Sequence, residues 1–203
     1  MSYICMMAND NGAAVFSDSR QTLPFGLHRD DCTKTFISEE CRTIWSCCGL
    51  VSLGWENLFH HTEKILRKDN LSIEERITRL VPYLRRKTDE FALLHRKKGI
   101  FNLLIADTSS GKLKVYRLDF VSGRAEIRKL NLPCFEQAGS NCRSLAPKTS
   151  CTPKSNDSIE TICEKGIERV RESIAKSMDK MLADGSYSPN VGGNVQIKSI
   201  TLK

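Results

Sequence analysis

The dipeptide Asn11-Gly12 sits between two short apolar runs, Tyr3-Ile4-Cys5-Met6-Met7 and Ala13-Ala14-Val15-Phe16. Asn-Gly supplies the positive-φ residues that a tight hairpin demands, because such a turn matches the right-handed twist of the strands it joins. Residues 2–8 and 13–18 are β-branched, aromatic, small or sulfur-bearing, and suit buried strands on either side of it. The chain therefore opens antiparallel. Residues 34–38 (Lys-Thr-Phe-Ile-Ser), a turn at Glu39-Glu40 and residues 42–48 (Arg-Thr-Ile-Trp-Ser-Cys-Cys) predict a second hairpin, ended by Gly49. A loop is expected between the hairpins over 21–33, where Pro24 and Gly26 punctuate a polar series.

Helical periodicity takes over after Gly49. Leu50, Leu53, Leu58, Ile65 and Leu66 predict a helix over about 50–67. Ser72-Ile-Glu-Glu is a capping box for a second helix. Its Ile73, Ile77, Leu80, Val81, Leu84, Phe91 and Leu94 keep close to a 3.6 period, Pro82 predicts a kink, and Gly99 a stop. Strands return over 100–106, 112–118 and 124–130, separated by turns at Ser109-Ser110-Gly111 and Val121-Ser122-Gly123. A short apolar piece at 134–138 leads into Gly139-Ser140-Asn141, and residues 146–156 read as an exposed loop. Asp157 is the expected cap of a long helix that carries Ile159, Ile162, Cys163, Ile167, Val170, Ile174, Met178 and Met181 and ends near 182. A loop over 184–189 and the pair Gly192-Gly193 precede a last strand, Val195 to Leu202. Hairpins, a helix pair, a meander, one helix and one strand do not make parallel β-α-β crossovers. This order predicts an α+β fold, a four-layer α-β-β-α sandwich of two antiparallel sheets flanked by helices. Nothing divides the chain, so residues 1–203 are expected to form one domain.

Composition closes off other classes. Apolar content of 40% and charged content of 27% over 203 residues describe a globular chain with a real core. No apolar run approaches a membrane span, and no basic region followed by a long apolar stretch marks a secretory signal. The nine cysteines are odd in number, irregularly spaced and form no C-x-x-C pair, which reads as reduced thiols in a cytoplasmic protein without a zinc site or other cofactor. Cys47 and Cys48, adjacent in a strand, must point to opposite faces. The net charge of +7 is densest at Arg85-Arg86-Lys87 and Arg96-Lys97-Lys98. Without interleaved aromatics to stack bases, this reads as a solvated basic face, and nucleic-acid binding ranks last. His60 and His61 point about 100° apart on a helix and read as surface residues.

Three polar residues stand at fixed offsets within this frame. Asp18 opens Asp18-Ser19-Arg20-Gln21-Thr22 at the end of the second strand, Lys34 opens the third strand, and Ser2 opens the first. Asp18 lies 16 positions and Lys34 32 positions after Ser2. This constellation resembles the β-type subunits of the proteasome and their bacterial relatives, the HslV peptidase and the Anbu proteins, which are N-terminal nucleophile hydrolases. The offsets match the family's without a gap, and the residues after Asp18 resemble its Asp-Ser-Arg-x-Thr element. Gly12 falls on the family's hairpin glycine, and Cys48-Gly49-Leu50 resembles the Ser-Gly-Leu after its fourth strand. Gly139-Ser140-Asn141 resembles a Gly-Ser-Gly, and Gly192-Gly193 the turn into a late strand. Element order matches over the whole chain, motifs mainly over the first fifty residues.

The resemblance implies a mechanism. Removal of Met1 would expose Ser2 as a nucleophile whose own α-amino group, with an intrinsic pKa of about 7.7–8.0, serves as its base. Lys34 would stabilise the developing alkoxide, Asp18 would hold Lys34, the Gly49 N–H would bind the oxyanion, and Ser140 would hydrogen-bond near the amine. Arg20 would support local packing. The expected assembly is a homo-oligomeric ring acting on peptides or unfolded protein, with an ATPase unfoldase as a possible partner. An amidohydrolase of the same fold, acting on a small amide, and a catalytically inactive scaffold are the alternatives. The sequence departs from the family in the late loop, where Ser188 falls near an acidic position and Val191 on a serine, with Asp184 a substitute only if the loop is remodelled. Pro147 and Pro153 interrupt the helix that should follow Gly139-Ser140-Asn141 and that pairs stacked rings in the family.

Overall fold

The computed structural model describes residues 2–22, 27–140, 142, 151–184 and 191–202. The chain opens with β1 (Tyr3–Asn9) and β2 (Gly12–Asp18), followed by two short strands, β3 (Gln21–Thr22) and β4 (His28–Arg29). The second hairpin is β5 (Thr35–Ser38) and β6 (Thr43–Gly49). Then come β7 (Ser52–Leu53), β8 (Glu56–Asn57), α1 (Leu58–Leu66) and α2 (Ile73–His95). The meander is β9 (Ile100–Asp107), β10 (Lys114–Val121), β11 (Arg124–Leu130) and β12 (Cys134–Gly139), and α3 (Ile159–Asp184) and β13 (Val195–Thr201) close the chain.

The architecture is mixed α/β, and every strand pair is antiparallel. One sheet runs β12-β1-β2-β13 and another β11-β10-β9-β6-β5, while β3–β4 and β7–β8 form small ladders of their own. The two hairpins therefore end in different sheets, and β13 returns from the far end of the chain to lie beside β2.

Alternation of side chains explains why both sheets are buried on two faces. Ile4, Met6, Ala8, Ala13 and Val15 pack with Ile44, Cys48, Leu104 and Ala106 of the other sheet. The opposite face of the same hairpin (Tyr3, Cys5, Met7, Ala14 and Phe16) packs on Ile162 and Val170 of α3. On β6, Trp45 and Cys47 join Leu58, Leu66, Ile77, Leu80 and Leu84 of α1 and α2. Cys47 and Cys48 thus face opposite sides of their sheet, as the period of two requires. Each large apolar side chain so buried contributes about 1.5–3 kcal/mol.

Several expectations need correction. The helix expected over about 50–67 is shorter. Residues 52–57 form the β7–β8 hairpin, because Gly54 adopts φ +59 at its tip, and the helix starts only at Leu58 with Asn57 as cap. The Ser72 capping box is present, and α2 runs on through Pro82 to His95, where Arg96 at φ 50 ends it before Gly99. Its apolar stripe stops at Phe91, and Leu94 is exposed. Ser158, not Asp157, caps α3, accepting a hydrogen bond from the Thr161 N–H at 3.3 Å. The Asp157 carboxylate instead takes the Lys154 N–H at 2.9 Å and Lys165 Nζ at 2.5 Å. Met178 lies exposed on α3 rather than in the core.

All nine cysteines are thiols outside any disulfide, and Cys5, Cys32, Cys41, Cys47 and Cys48 are buried. Among the described residues no helix is long and apolar enough to cross a membrane.

Candidate active site

The start of β1, the end of β2 and the residue just before β5 meet in one place. Asp18 is the last residue of β2 and lies opposite Val195 of β13. Its side chain is wholly buried and accepts four hydrogen bonds. Oδ1 takes the Tyr3 N–H at 2.9 Å and Lys34 Nζ at 2.8 Å, and Oδ2 takes the N–H groups of Arg20 and Gly192 at 3.2 Å each. Placing two opposite charges out of water costs several kcal/mol per ion, and this pair offsets the cost with charge-assisted bonds at close range.

Lys34 is also without solvent exposure. Its backbone is pinned from both sheets: its N–H donates to Gln196 Oε1 at 2.9 Å, and its carbonyl accepts from the Cys47 N–H at 3.0 Å and Ser46 Oγ at 3.1 Å. The ammonium makes a second bond, to the Arg20 carbonyl, at 2.5 Å. The Ser2 hydroxyl donates to that same oxygen at 3.3 Å. One carbonyl therefore joins the hydroxyl and the ammonium, and Asp18 holds the ammonium from the other side.

Ser140 anchors the strand end. Its N–H donates to the Ser2 carbonyl at 2.8 Å, while its own hydroxyl is buried with no partner. Gly139, at φ +96, allows the approach, since a Cβ there would stand 1.9 Å from the Ser2 carbonyl oxygen. Gly49, at φ +108, ends β6 in the same way, and a Cβ would stand 2.2 Å from the Ile100 carbonyl oxygen. Backbone N–H groups alternate along a strand. The Cys47 N–H bonds Lys34 on the β5 side and the Leu50 N–H bonds Ile100 on the β9 side, so the Gly49 N–H points along the edge where Lys34 lies.

Asp30, Asn194 and Gln196, which the sequence did not single out, join Ser19 and Arg20 in a clamp around the shared carbonyl. Arg20 Nε and Nη2 form a bidentate pair with Asp30 at 2.6 Å each, and the Arg20 N–H also reaches the Gly192 carbonyl at 3.1 Å. The Ser19 hydroxyl donates to the Asp30 carbonyl and accepts the Asn194 N–H at 2.8 Å. The guanidinium beside it holds the Asp30 carboxyl below its usual range. Arg20 thus packs locally, as expected, and its main chain lies at the centre of the cluster. Gln196 bridges the sheets, accepting from the Ser17 hydroxyl and the Lys34 N–H and donating to the Cys32 carbonyl at 2.9 Å. A cleft of about 370 Å³ adjoins the cluster, lined by Gln21, Cys32, Thr33, Phe36, Val51 and Asn57 among others.

Ser2, Asp18 and Lys34 are therefore brought into one hydrogen-bonded cluster, with the backbone of Ser140 on Ser2 and Gly49 on the adjoining edge. Val191 is buried, its N–H bonded to Ser177 Oγ at 3.0 Å, and Asp184 ends α3 exposed to solvent. Met1, Pro24, Gly26, Asn141, Pro147 and Ser188 lie outside the described residues. Pro153 is buried ahead of α3. Among the described residues no group of three or more His, Cys, Asp or Glu side chains converges as a metal site.

No protein-family model matches the sequence, and none of the curated proteins compared matches it. Among solved structures, the chain is similar to Anbu (ancestral beta-subunit) from Yersinia bercovieri, with a TM-score of 0.68 and 14% identity, over 98% of this chain and 82% of that one. The fold of this chain is thus that of the ancestral beta-subunit Anbu.

Proposed function

We propose that the chain, as one domain with its helices outside two stacked sheets in α-β-β-α order, is a peptidase that uses Ser2 as its nucleophile after loss of Met1. The observation that carries this reading is the Arg20 carbonyl, on which the Ser2 hydroxyl and the buried Lys34 ammonium converge while Asp18 fixes that ammonium. A serine hydroxyl is a weak nucleophile until a base takes its proton. In the trimmed chain the α-amino group of Ser2 is that base. The Ser2 oxygen bonds to the carbonyl carbon of the substrate, its proton passes to the amine, and the oxyanion that forms is met by the Gly49 N–H. The proton then goes to the leaving nitrogen as the peptide C–N bond breaks. Water, deprotonated by the same amine, releases the acyl group from Ser2. Lys34 favours the alkoxide and keeps the neighbouring amine neutral. In this reading the Ser140 hydroxyl hydrogen-bonds that amine, which its lack of another partner and the Ser140 N–H bond to the Ser2 carbonyl support.

The substrate is a peptide or an unfolded polypeptide, taken up by copies of the chain in a homo-oligomeric ring, with an ATPase unfoldase as an eventual feeder. Nine cysteines outside any disulfide suit a reducing cytoplasm. The decisive experiment pairs intact mass with turnover. Loss of Met1 in the cellular protein, cleavage of fluorogenic peptides by wild type and none by Ser2→Ala support the reading. Retained Met1, or equal turnover by both proteins, sinks it.

A second reading is a scaffold of the same fold without catalysis. Val191 favours it, because the buried isopropyl group offers no hydroxyl where the family resemblance puts a serine. Absence of any Ser2 acylation by an electrophile that needs both hydroxyl and amine would decide for the scaffold.

A further inference from the structure

Most of the excess charge lies on one helical layer. Residues 58–98, which hold α1 and α2, carry eleven lysines and arginines against six aspartates and glutamates, a net +5 of the chain's +7. Residues 157–184, which hold α3, carry five against seven, a net −2. The acids of the basic layer are largely engaged. Glu63 binds Arg67 at 2.9 Å, Glu74 binds Lys114 at 3.0 Å, Glu75 closes the capping box, and Glu90 binds Lys87 at 2.9 Å. Lys64, Arg79, Arg85 and Arg86 stay exposed.

The β7–β8 hairpin rises at the border of this layer with Trp55 at its tip, and the Trp55 side chain is fully exposed, at 105%. The arm that carries it is fixed. The Leu58 N–H donates to the Val51 carbonyl at 2.8 Å across its base, and Glu56 accepts from the Tyr83 hydroxyl at 2.9 Å and pairs with Lys87 at 3.2 Å. Tyr83 in turn lies against His61, with ring centroids 3.6 Å apart, and under Arg86 at 5.9 Å. Aromatic residues therefore do accompany the Arg85-Arg86-Lys87 cluster, contrary to the reading of the sequence. A held, wholly exposed indole on an arm tied to an arginine-rich layer has the composition of an interface anchor, because Trp and Arg dominate the energetics of protein contacts.

We propose that the Trp55 hairpin and the outer face of α1 and α2 form a docking surface for an acidic protein segment. Trp55 enters an apolar socket on the partner, and Lys64, Arg85 and Arg86 meet its carboxylates. The charge of the layer selects an anionic partner. The aromatics select protein over single-stranded nucleic acid, because that ligand needs successive open ring faces. Beside the open indole of Trp55, Tyr83 does not supply a second, since it is covered by His61 and Arg86 and its hydroxyl is taken by Glu56. This surface is independent of what Ser2 does.

The chain has two tryptophans, and Trp45 is fully buried, so the exposed component of the fluorescence belongs to Trp55. The full chain is titrated with a glutamate-rich peptide carrying a leucine stripe, with oligo-dT, and with vesicles of phosphatidylcholine and phosphatidylserine. The expected result is a blue shift with the peptide, reversed by salt. The peptide's Kd, read by anisotropy of a labelled copy, should rise about tenfold in Trp55→Ser and again in the Arg85→Glu, Arg86→Glu double variant. These exposed substitutions leave folding intact, which a thermal melt verifies. Three results would overturn the proposal. The peptide fails to bind or binds Trp55→Ser as tightly; oligo-dT or vesicles shift the emission and the peptide does not; or the shift grows with protein concentration alone, which makes the occupant a second copy.

Discussion

Among the described residues two carboxylate–cation pairs are fully buried, and they are built differently. Asp18 and Lys34 stand 2.8 Å apart at the edge of the sheets, both without exposure. Asp107 and Arg76 stand 3.7 Å apart between the end of β9 and α2, at 0% and 1% exposure. Asp107 relies mainly on hydroxyls and backbone, with Thr43 Oγ1 at 2.6 Å, Ser109 Oγ at 2.7 Å and the Ser109 N–H at 3.1 Å. Arg76 spends Nη1 on Thr43 and the Leu66 carbonyl and leaves a buried Nε without a partner. That pair closes a core. Lys34 instead shares an acceptor with the Ser2 hydroxyl, and Asp18 binds the N–H of the next residue, Tyr3. Burial of charge does not distinguish the two places; the candidate nucleophile on the cation's own acceptor does.

The largest expected effect breaks the first pair. Lys34→Ala leaves the Asp18 carboxylate buried without its cation, so urea unfolding should show a loss of about 3–5 kcal/mol, and peptide turnover should fall to background. If the variant does not fold, Lys34→Arg tests the same point by keeping the charge and losing the fit, and turnover should still collapse. Arg76→Met should cost less, about 2–3 kcal/mol, because Thr43 and Ser109 still satisfy Asp107. Turnover per folded molecule should not change; a matching loss of activity would erase the distinction between the pairs. Asp30→Asn loosens the clamp on the carbonyl that Ser2 and Lys34 share. Asp30 is 40% exposed, so stability should drop by no more than about 1 kcal/mol, whereas kcat should fall several-fold with KM unchanged. The smallest effect belongs to Glu74, on the same helix as Arg76 but half-exposed. Burial works to raise its carboxyl, yet the Tyr116 hydroxyl and Lys114 ammonium outweigh that and bring it down to about 2. Its contribution is complete above the unfolded value of 4.5 and fades as pH falls towards about 2. With solvent screening, Glu74→Gln should flatten the acid-unfolding curve in that window by about 0.5 kcal/mol or less.

The first hairpins were legible because Asn11-Gly12 and alternating apolar runs act over a few residues, and the chain's own turns enforce them. That Ser2, Asp18 and Lys34 would lie together was implied only by the family resemblance that their offsets of 16 and 32 positions carry; no local rule of the chain brings them to one place. Residues 50–57 misled because Leu50, Leu53 and Leu58 satisfy a helical period and a hairpin alike; Gly54 was the signal that separates them. Gln196 and Asp30 had no local signal at all. Gln196 is one polar residue in an ordinary strand, and its partners Ser17, Cys32 and Lys34 are more than 160 positions away in the chain. Asp157 and Ser158 are adjacent, both good caps, and only the path of the chain through Lys154 decides between them.

The unbridged cysteines have a practical consequence. Cys41, Cys47 and Cys48 are sealed among strands, and burial pushes the Cys47 and Cys48 thiols well up, so a thiol-directed dye reaches them only when the sheets part. Cys134, Cys142, Cys151 and Cys163 are half-buried around β12 and α3 and should colour first. The order of labelling is therefore a clock carried by the chain itself. It times the loosening of the four-stranded sheet's rim separately from the opening of the interior, with no probe introduced and no residue replaced.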